Sequence, residues 1–432
     1  MLEEIKTVNL NKAGKNAIWM MVEKTISIFG LFFITSYVAK YIGPSLFGEL
    51  SLAMAIFQIV LITSQMGCDN IIFKRVSKKP QSGVSLIKAS FTMRACLYFL
   101  LSSPVLIYFY EKDKFISFIF CASVSLAYLF SALDVYSIYN NATLSSKINT
   151  FSNVIGLVVG LGIRYAIAKL MLNPALLSIP IVLTTAIPFF IRMVYFKKKN
   201  DNVSIIGRNW VSSAKKYSRY LLISGGSIVL SSISIAIYTR INQIYISDLI
   251  GTYQLGIYSV ALTLSTSWSF VVSSIITSYY ASIYADDDSA SSMKKASNLN
   301  RFIMLFSMSF LLIFWGFGKE VINILYGERY VGAYVPVLIL SVGTMFSLMG
   351  SVAYKYVIKY SGFSYLSKKM IFILIFSIPT SFFLTKYYGI NGASISVVLV
   401  ELLSLTIMNY FFKNRIVMKM HFRSLGVIWN SK

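Results

Sequence analysis

The sequence predicts an all-α membrane protein with about twelve transmembrane helices arranged as two six-helix lobes. Three observations carry this reading. Of 432 residues, 56% are hydrophobic and only 13% are charged, with a mean hydropathy of +0.68, too apolar for a soluble chain to cover its surface. Apolar segments of roughly 18 to 25 residues recur along the whole length, each enough for a helix to cross about 30 Å of hydrocarbon. The chain also repeats itself weakly about 208 positions on: Gly43, Gly48, Ser51 and Ala53 fall opposite Gly251, Gly256, Ser259 and Ala261, each copy following the first long apolar segment of its half. The short alternating stretches of a β-barrel are absent, and backbone amides in lipid then require helices.

In order, spans are expected at about Ile18 to Tyr41, Phe47 to Gly67, Ala89 to Tyr108, Phe115 to Tyr136, Phe151 to Leu172 and Ala175 to Phe196. The second set runs at about Tyr220 to Ile246, Tyr253 to Tyr279, Phe302 to Phe317, Tyr334 to Tyr354, Met370 to Leu384 and Ile390 to Phe412. The domains expected are an N-terminal lobe over 1–200, a basic cytoplasmic linker over 201–219, and a C-terminal lobe over 220–432 with a short cytoplasmic tail. About 28 lysines and arginines fall on the side of the termini and about 8 on the other, which places both termini in the cytoplasm. The first apolar segment is too long for a signal peptide and lacks a small-residue cleavage site, so it is read as the first anchor.

A net charge of +24 would point to nucleic acid in a soluble domain. Here the basic residues are scattered over short loops, where they set topology and meet anionic headgroups, so no nucleic-acid partner is expected. Cys68, Cys96 and Cys121 show no paired or metal-ligand spacing and read as packed thiols; His421 stands alone in the tail, so no metal site is expected.

Ionisable groups inside spans cost roughly 2.5 to 3.5 kcal/mol on insertion scales, so those that persist are the pointers to a site. Arg240 lies deep in the seventh span beside Asn242 and Gln243, on the side the positive-inside rule leaves poor in charge; a cavity-facing role is favoured over a structural pairing. Arg164, in the outer half of the fifth span, either faces the interior or snorkels to the outer headgroups. Lys24 is about one turn deeper than an ordinary cytoplasmic anchor, and the adjacent Glu23 points about 100° away from it, so Glu23 pairs with another helix or titrates. Arg94 and Arg192 are expected to snorkel to the cytoplasmic face. Glu401, mid-span with Asn391, Ser394 and Ser404 at helical spacing, either binds H⁺ or Na⁺ or holds a helix contact. This excess of intramembrane cations suits an anionic cargo, since a guanidinium grips phosphate through paired hydrogen bonds.

The run Tyr37 to Ala53, with QMGCDNIIFKRVSKKP (Gln65 to Pro80), TRINQIYISDLIGTYQLGIYSVA (Thr239 to Ala261), GKEVINILYGERYVGAYVPVLIL (Gly318 to Leu340) and YYGINGASIS (Tyr387 to Ser396), resembles the O-antigen flippases (Wzx type) of the polysaccharide exporter family. The resemblance covers nearly the whole chain and rests on the order and spacing of several loose motifs. It implies a MATE-like fold of the MOP superfamily, two six-helix lobes in a V around a central cavity, and transport rather than enzyme chemistry. It further implies an undecaprenyl-pyrophosphate-linked oligosaccharide as cargo, moved to the periplasmic leaflet of the bacterial inner membrane. The polysaccharide polymerase and chain-length regulator would be partners besides the lipids. Substrate-binding cations would be Lys24, Arg240 and Arg164, with Glu23 or Glu401 coupling transport to H⁺ or Na⁺ and no other cofactor. The chain departs from the pattern in carrying a single arginine deep in its seventh span, so the pyrophosphate grip is expected to be shared between lobes. A drug or metabolite exporter of the same fold would be dominated by a mid-membrane acidic site. A membrane polymerase or glycosyltransferase would need a large outward loop with paired arginines or carboxylates, and the outward loops are short.

Overall fold

The computed structural model describes residues 2–111, 115–200 and 210–426; the side chains of 2–18, 20–29, 31, 81–82, 210–228 and 281 lie outside the description. Glu23 and Lys24 are among these, as is most of the expected linker, although its part from Trp210 onward begins a helix. Among the described residues there is no strand, and every predicted span falls on helix. Nine runs are long and apolar enough to cross a bilayer among the described residues, and one of them, Phe363–Tyr410, carries two predicted spans.

The chain forms two compact units. Unit 1 comprises Met1–Ile42 and Ala53–Ala236; unit 2 comprises Gly43–Leu52 and Ile237–Lys432. Their elements are α1 (Leu2–Gln65), α2 (Cys68–Lys78), α3 (Pro80–Glu111), α4 (Phe115–Leu133), α5 (Val135–Ala142), α6 (Ser146–Lys169) and α7 (Ser178–Asn200). Next come α8 (Trp210–Leu249), α9 (Thr252–Ser267), α10 (Ser269–Tyr284), α11 (Ser289–Tyr326), α12 (Tyr334–Lys359), α13 (Phe363–Leu405), α14 (Ile407–Tyr410) and α15 (Ile416–Ser424).

In unit 1, the pair α6 and α7 shows why the helices approach closely. Gly156 and Gly160 are one turn apart, and a Cβ at either would strike Pro188 or Thr184 of α7. Between helices in lipid, where apolar burial gives no drive, such small residues allow backbone contact and dispersion to hold the pair. Arg94 and Arg192 differ from the expectation of snorkelling. Both are buried, 1% and 4% exposed: Arg94 pairs with Asp69 and donates to the Ala132 carbonyl, and Arg192 pairs with Asp134 and Asn153. Acidic partners on other helices make burial cheaper than stretching to the headgroups. Cys96 also departs from its expectation. Arg94 and Tyr98 occupy the buried face of α3, which turns Cys96 outward, while Cys68 and Cys121 are packed.

In unit 2 the 208-residue repeat acquires a geometry. Gly43 and Gly251 both have positive φ (76° and 105°) with extended ψ (170° and 166°), a conformation open to glycine that starts a helix after a sharp turn. A Cβ on Gly48 would lie 1.8 Å from the Thr252 carbonyl oxygen, and one on Gly256 would lie 2.0 Å from that of Pro44. Pro44 and Thr252 are themselves repeat equivalents. The two copies therefore cross reciprocally, each laying its glycine on the other's first turn. The turn recurs at Gly327 (φ 88°, ψ 168°), with Gly332 spaced as Gly48 and Gly256 are. The segment before it is helical, since α11 continues unbroken to Tyr326.

The other end of unit 2 is held by the short amphipathic α15. Ser297 donates to the Met420 carbonyl (2.9 Å), and Arg301 donates to the carbonyls of Arg423 (2.6 Å) and Ser424 (2.9 Å), capping the helix C-terminus. Nearby, the Lys359 ammonium gathers the carbonyls of Ile283 and Asp286 and the Ser292 hydroxyl at 2.7 to 2.8 Å.

Candidate functional site

A cavity of about 660 Å³ lies wholly inside unit 2, walled by α8, α9, α10, α12 and α13. Arg240 and Glu401 both line it, so the structure joins two of the intramembrane charges that the sequence singles out. Arg240 stands about 14 Å of helix from the Leu249 end of α8, and Glu401 about 18 Å from the Gly389 break in α13, at comparable depth.

The Arg240 guanidinium donates to Gln243 Oε1 (3.1 Å), one turn on along α8. Asn242, buried at 4% exposure, accepts at Oδ1 from Ser396 of α13 (2.9 Å), which ties the two helices together beneath the arginine. Glu401 accepts hydrogen bonds from Tyr238 of α8 and Ser347 of α12, and the Lys369 ammonium acts on it from further along α13. Lys369 is itself 5% exposed and donates to Asn409 Oδ1 (3.0 Å). The carboxyl group therefore has hydroxyl neighbours from two other helices and a buried cation nearby.

The stripe expected around Glu401 differs from the one observed. Asn391, Ser394 and Ser404 do not line the cavity; Ser381, Val397 and Val400 do, and Ser394 is buried with its hydroxyl on the Ile390 carbonyl (2.8 Å). Arg164 sits half-buried on α6 in unit 1 and does not line this cavity. Glu23 and Lys24 lie outside the described residues. Among the described residues no group of histidines, cysteines and carboxylates could hold a metal.

Sequence reasoning missed Tyr238, Ser347 and Lys369. The first two carry no signal in a chain with 29 tyrosines and many serines. Lys369 carried one: Leu366, Met370, Ile373 and Ser377 form the buried face of α13, and Lys369 falls on that face where Lys368 does not.

At the level of fold, the chain is similar to an inward-facing MATE-family multidrug transporter of the MOP superfamily, at a TM-score of 0.66 and 11% identity over 94% of this chain and 98% of that one. It is also similar to the lipid II flippase MurJ (TM-score 0.56, 12% identity, 95% and 90% covered) and to the Vibrio cholerae MATE transporter VcmN (0.54, 12%, 96% and 98%). The fold is accordingly the all-helical MATE-like one. A curated relative, the capsular polysaccharide biosynthesis protein CapF of Staphylococcus aureus, is 22% identical over 406 residues, 92% of this chain and 99% of the relative. The family model described as polysaccharide biosynthesis protein matches residues 13–280, more than half of the chain, and the chain belongs to that family.

Proposed function

We propose that this protein is a flippase for an undecaprenyl-pyrophosphate-linked oligosaccharide, an O-antigen-type repeat unit, which it carries from the cytoplasmic to the periplasmic leaflet of the inner membrane by alternating access. The observation that carries the reading is the cavity of unit 2, with Arg240 and Glu401 on its wall, in a multi-pass member of the polysaccharide biosynthesis family. The capsular relative supports a surface-polysaccharide cargo, and the motif resemblance narrows it to O-antigen. The apolar polyprenyl tail stays in lipid while the head group passes through water-accessible space. Arg240 offsets the desolvation of the pyrophosphate, helped by Lys24 and Arg164. Glu401 couples the cycle to H⁺ or Na⁺ by changing charge between states, with Glu23 as a second candidate. Both termini face the cytoplasm, and the polymerase and chain-length regulator receive the flipped unit.

The test is a deletion strain analysed for lipid-linked repeat units. Complete single units should accumulate on the cytoplasmic leaflet, and the cloned gene should clear them. Units already outside but unextended would instead make the protein a polymerase.

A further inference from the structure

We propose that the unit 2 cavity contains a saccharide subsite, a slot whose wall reads the ring hydroxyls of the cargo while Arg240 holds the phosphate end. This rests on the flippase reading and names which part of the cargo the cavity recognises.

The wall is rich in hydroxyls whose protons are already committed. Thr263 donates to the Ser259 carbonyl (2.8 Å), Ser265 and Thr266 to that of Leu262 (3.0 and 2.7 Å), and Ser269 to that of Thr266 (2.6 Å). Across from them Thr344 donates to Leu340 (3.0 Å) and Ser351 to Leu348 (2.7 Å). A hydroxyl has one proton and two lone pairs, so those of Thr263, Thr266, Ser269, Thr344 and Ser351 offer acceptors to the cavity, while Ser265 is fully buried. The Tyr238 and Ser347 hydroxyls are likewise directed to Glu401. Away from Arg240, then, the hydroxyls of α9 and α12 form a field rich in acceptors.

Such a field selects a solute that brings donors. Phosphate brings only acceptors and is confined to the arginine. A bare metal ion wants a tight oxygen shell at about 2.0–2.6 Å, whereas this space measures about 660 Å³ and its lining along α9 and α10 runs from Tyr258 to Ser273, about 20 Å of helix. A sugar matches on each count. It is elongated when joined to its neighbours, its O–H groups point outward all round the ring, and its C–H faces fit the apolar patches formed by Leu262, Leu348 and Val397.

The experiment compares two cargoes on the same undecaprenyl pyrophosphate in cells with the full-length chain, the complete repeat unit and one trimmed to its first sugar. Thr263→Val and Thr344→Val remove acceptors at nearly constant shape. Flipping of the complete unit should fall about tenfold, roughly 1.4 kcal/mol, and that of the trimmed unit less than about threefold, at equal protein abundance in the membrane. An equal fall for both cargoes, or none for either, overturns the subsite. A wild-type chain that flips neither cargo overturns the flippase reading and the subsite with it. Should the valine variants lose abundance, Ser351→Cys in a Cys96→Ser background replaces them. Maleimide labelling there should slow in membranes loaded with complete cargo; labelling indifferent to cargo, or slowed by sodium ions alone, overturns the proposal.

Discussion

At the scale of single residues, the proposed function gives Glu401 and Arg240 opposite duties in one cavity, and their variants should separate. Arg240→Ala removes charge-assisted hydrogen bonds worth about 1.5–3 kcal/mol, so repeat-unit flipping should drop roughly tenfold to a hundredfold with normal abundance. Glu401→Gln keeps a hydrogen-bonding side chain but cannot change charge. In proteoliposomes it should abolish transport driven by an imposed H⁺ or Na⁺ gradient and leave exchange without a gradient measurable; full gradient-driven transport by the variant would remove Glu401 from coupling. His421 gives a stability prediction outside the spans. Burial, with a smaller push from Lys369, lowers its pKa from 6.5 to about 4, and its Nε2 is buried without a hydrogen-bond partner. The unfolded chain then binds the proton more readily than the folded one, so the stability from a neutral His421 is complete above about pH 6.5 and is lost as pH falls toward 4. Thermal unfolding of His421→Phe should therefore depend less on pH over that window. The two charges of the cavity were legible because an ionisable group in an apolar run announces its cost. The hydroxyl partners of Glu401 were not, because serine and tyrosine are at home on any face of a membrane helix.

At the scale of elements, the spans were legible and their joints were not. Hydropathy locates helices by composition and leaves room for a break at Gly43 and at Gly389, but it does not give the positive-φ geometry by which the chain there ends one helix and starts the next without a loop. The buried ion pairs were missed for a related reason: Asp69 and Asp134 stand at helix ends, where a carboxylate looks like an ordinary surface group. Asp134→Ala should cost about 3–5 kcal/mol by orphaning buried Arg192. Replacing both partners, as Asp134→Leu with Arg192→Met, should recover most of that, and detergent thermostability distinguishes the two. Arg301→Ala should loosen α15 by about 1 kcal/mol, seen as faster proteolysis within 416–424 and little change elsewhere.

At the scale of the whole molecule, the distribution of basic charge predicts an orientation for the chain. A reporter fused after Lys432 should be active only if the C-terminus is cytoplasmic, and a periplasmic result would reverse every inside and outside assignment made from the +24 charge. The duplication was visible as four matched residues, and its physical content emerged only when Gly48 and Gly256 were seen resting on the first turns at Thr252 and Pro44. That contact bears on genetics. A bulky residue at Gly48 would collide with main-chain oxygen, and no change of side chain at Thr252 can move that atom away. In a selection for restored surface polysaccharide, a Gly48→Val strain should thus yield same-site revertants to glycine and no suppressors at Thr252, and likewise for Gly256 with Pro44.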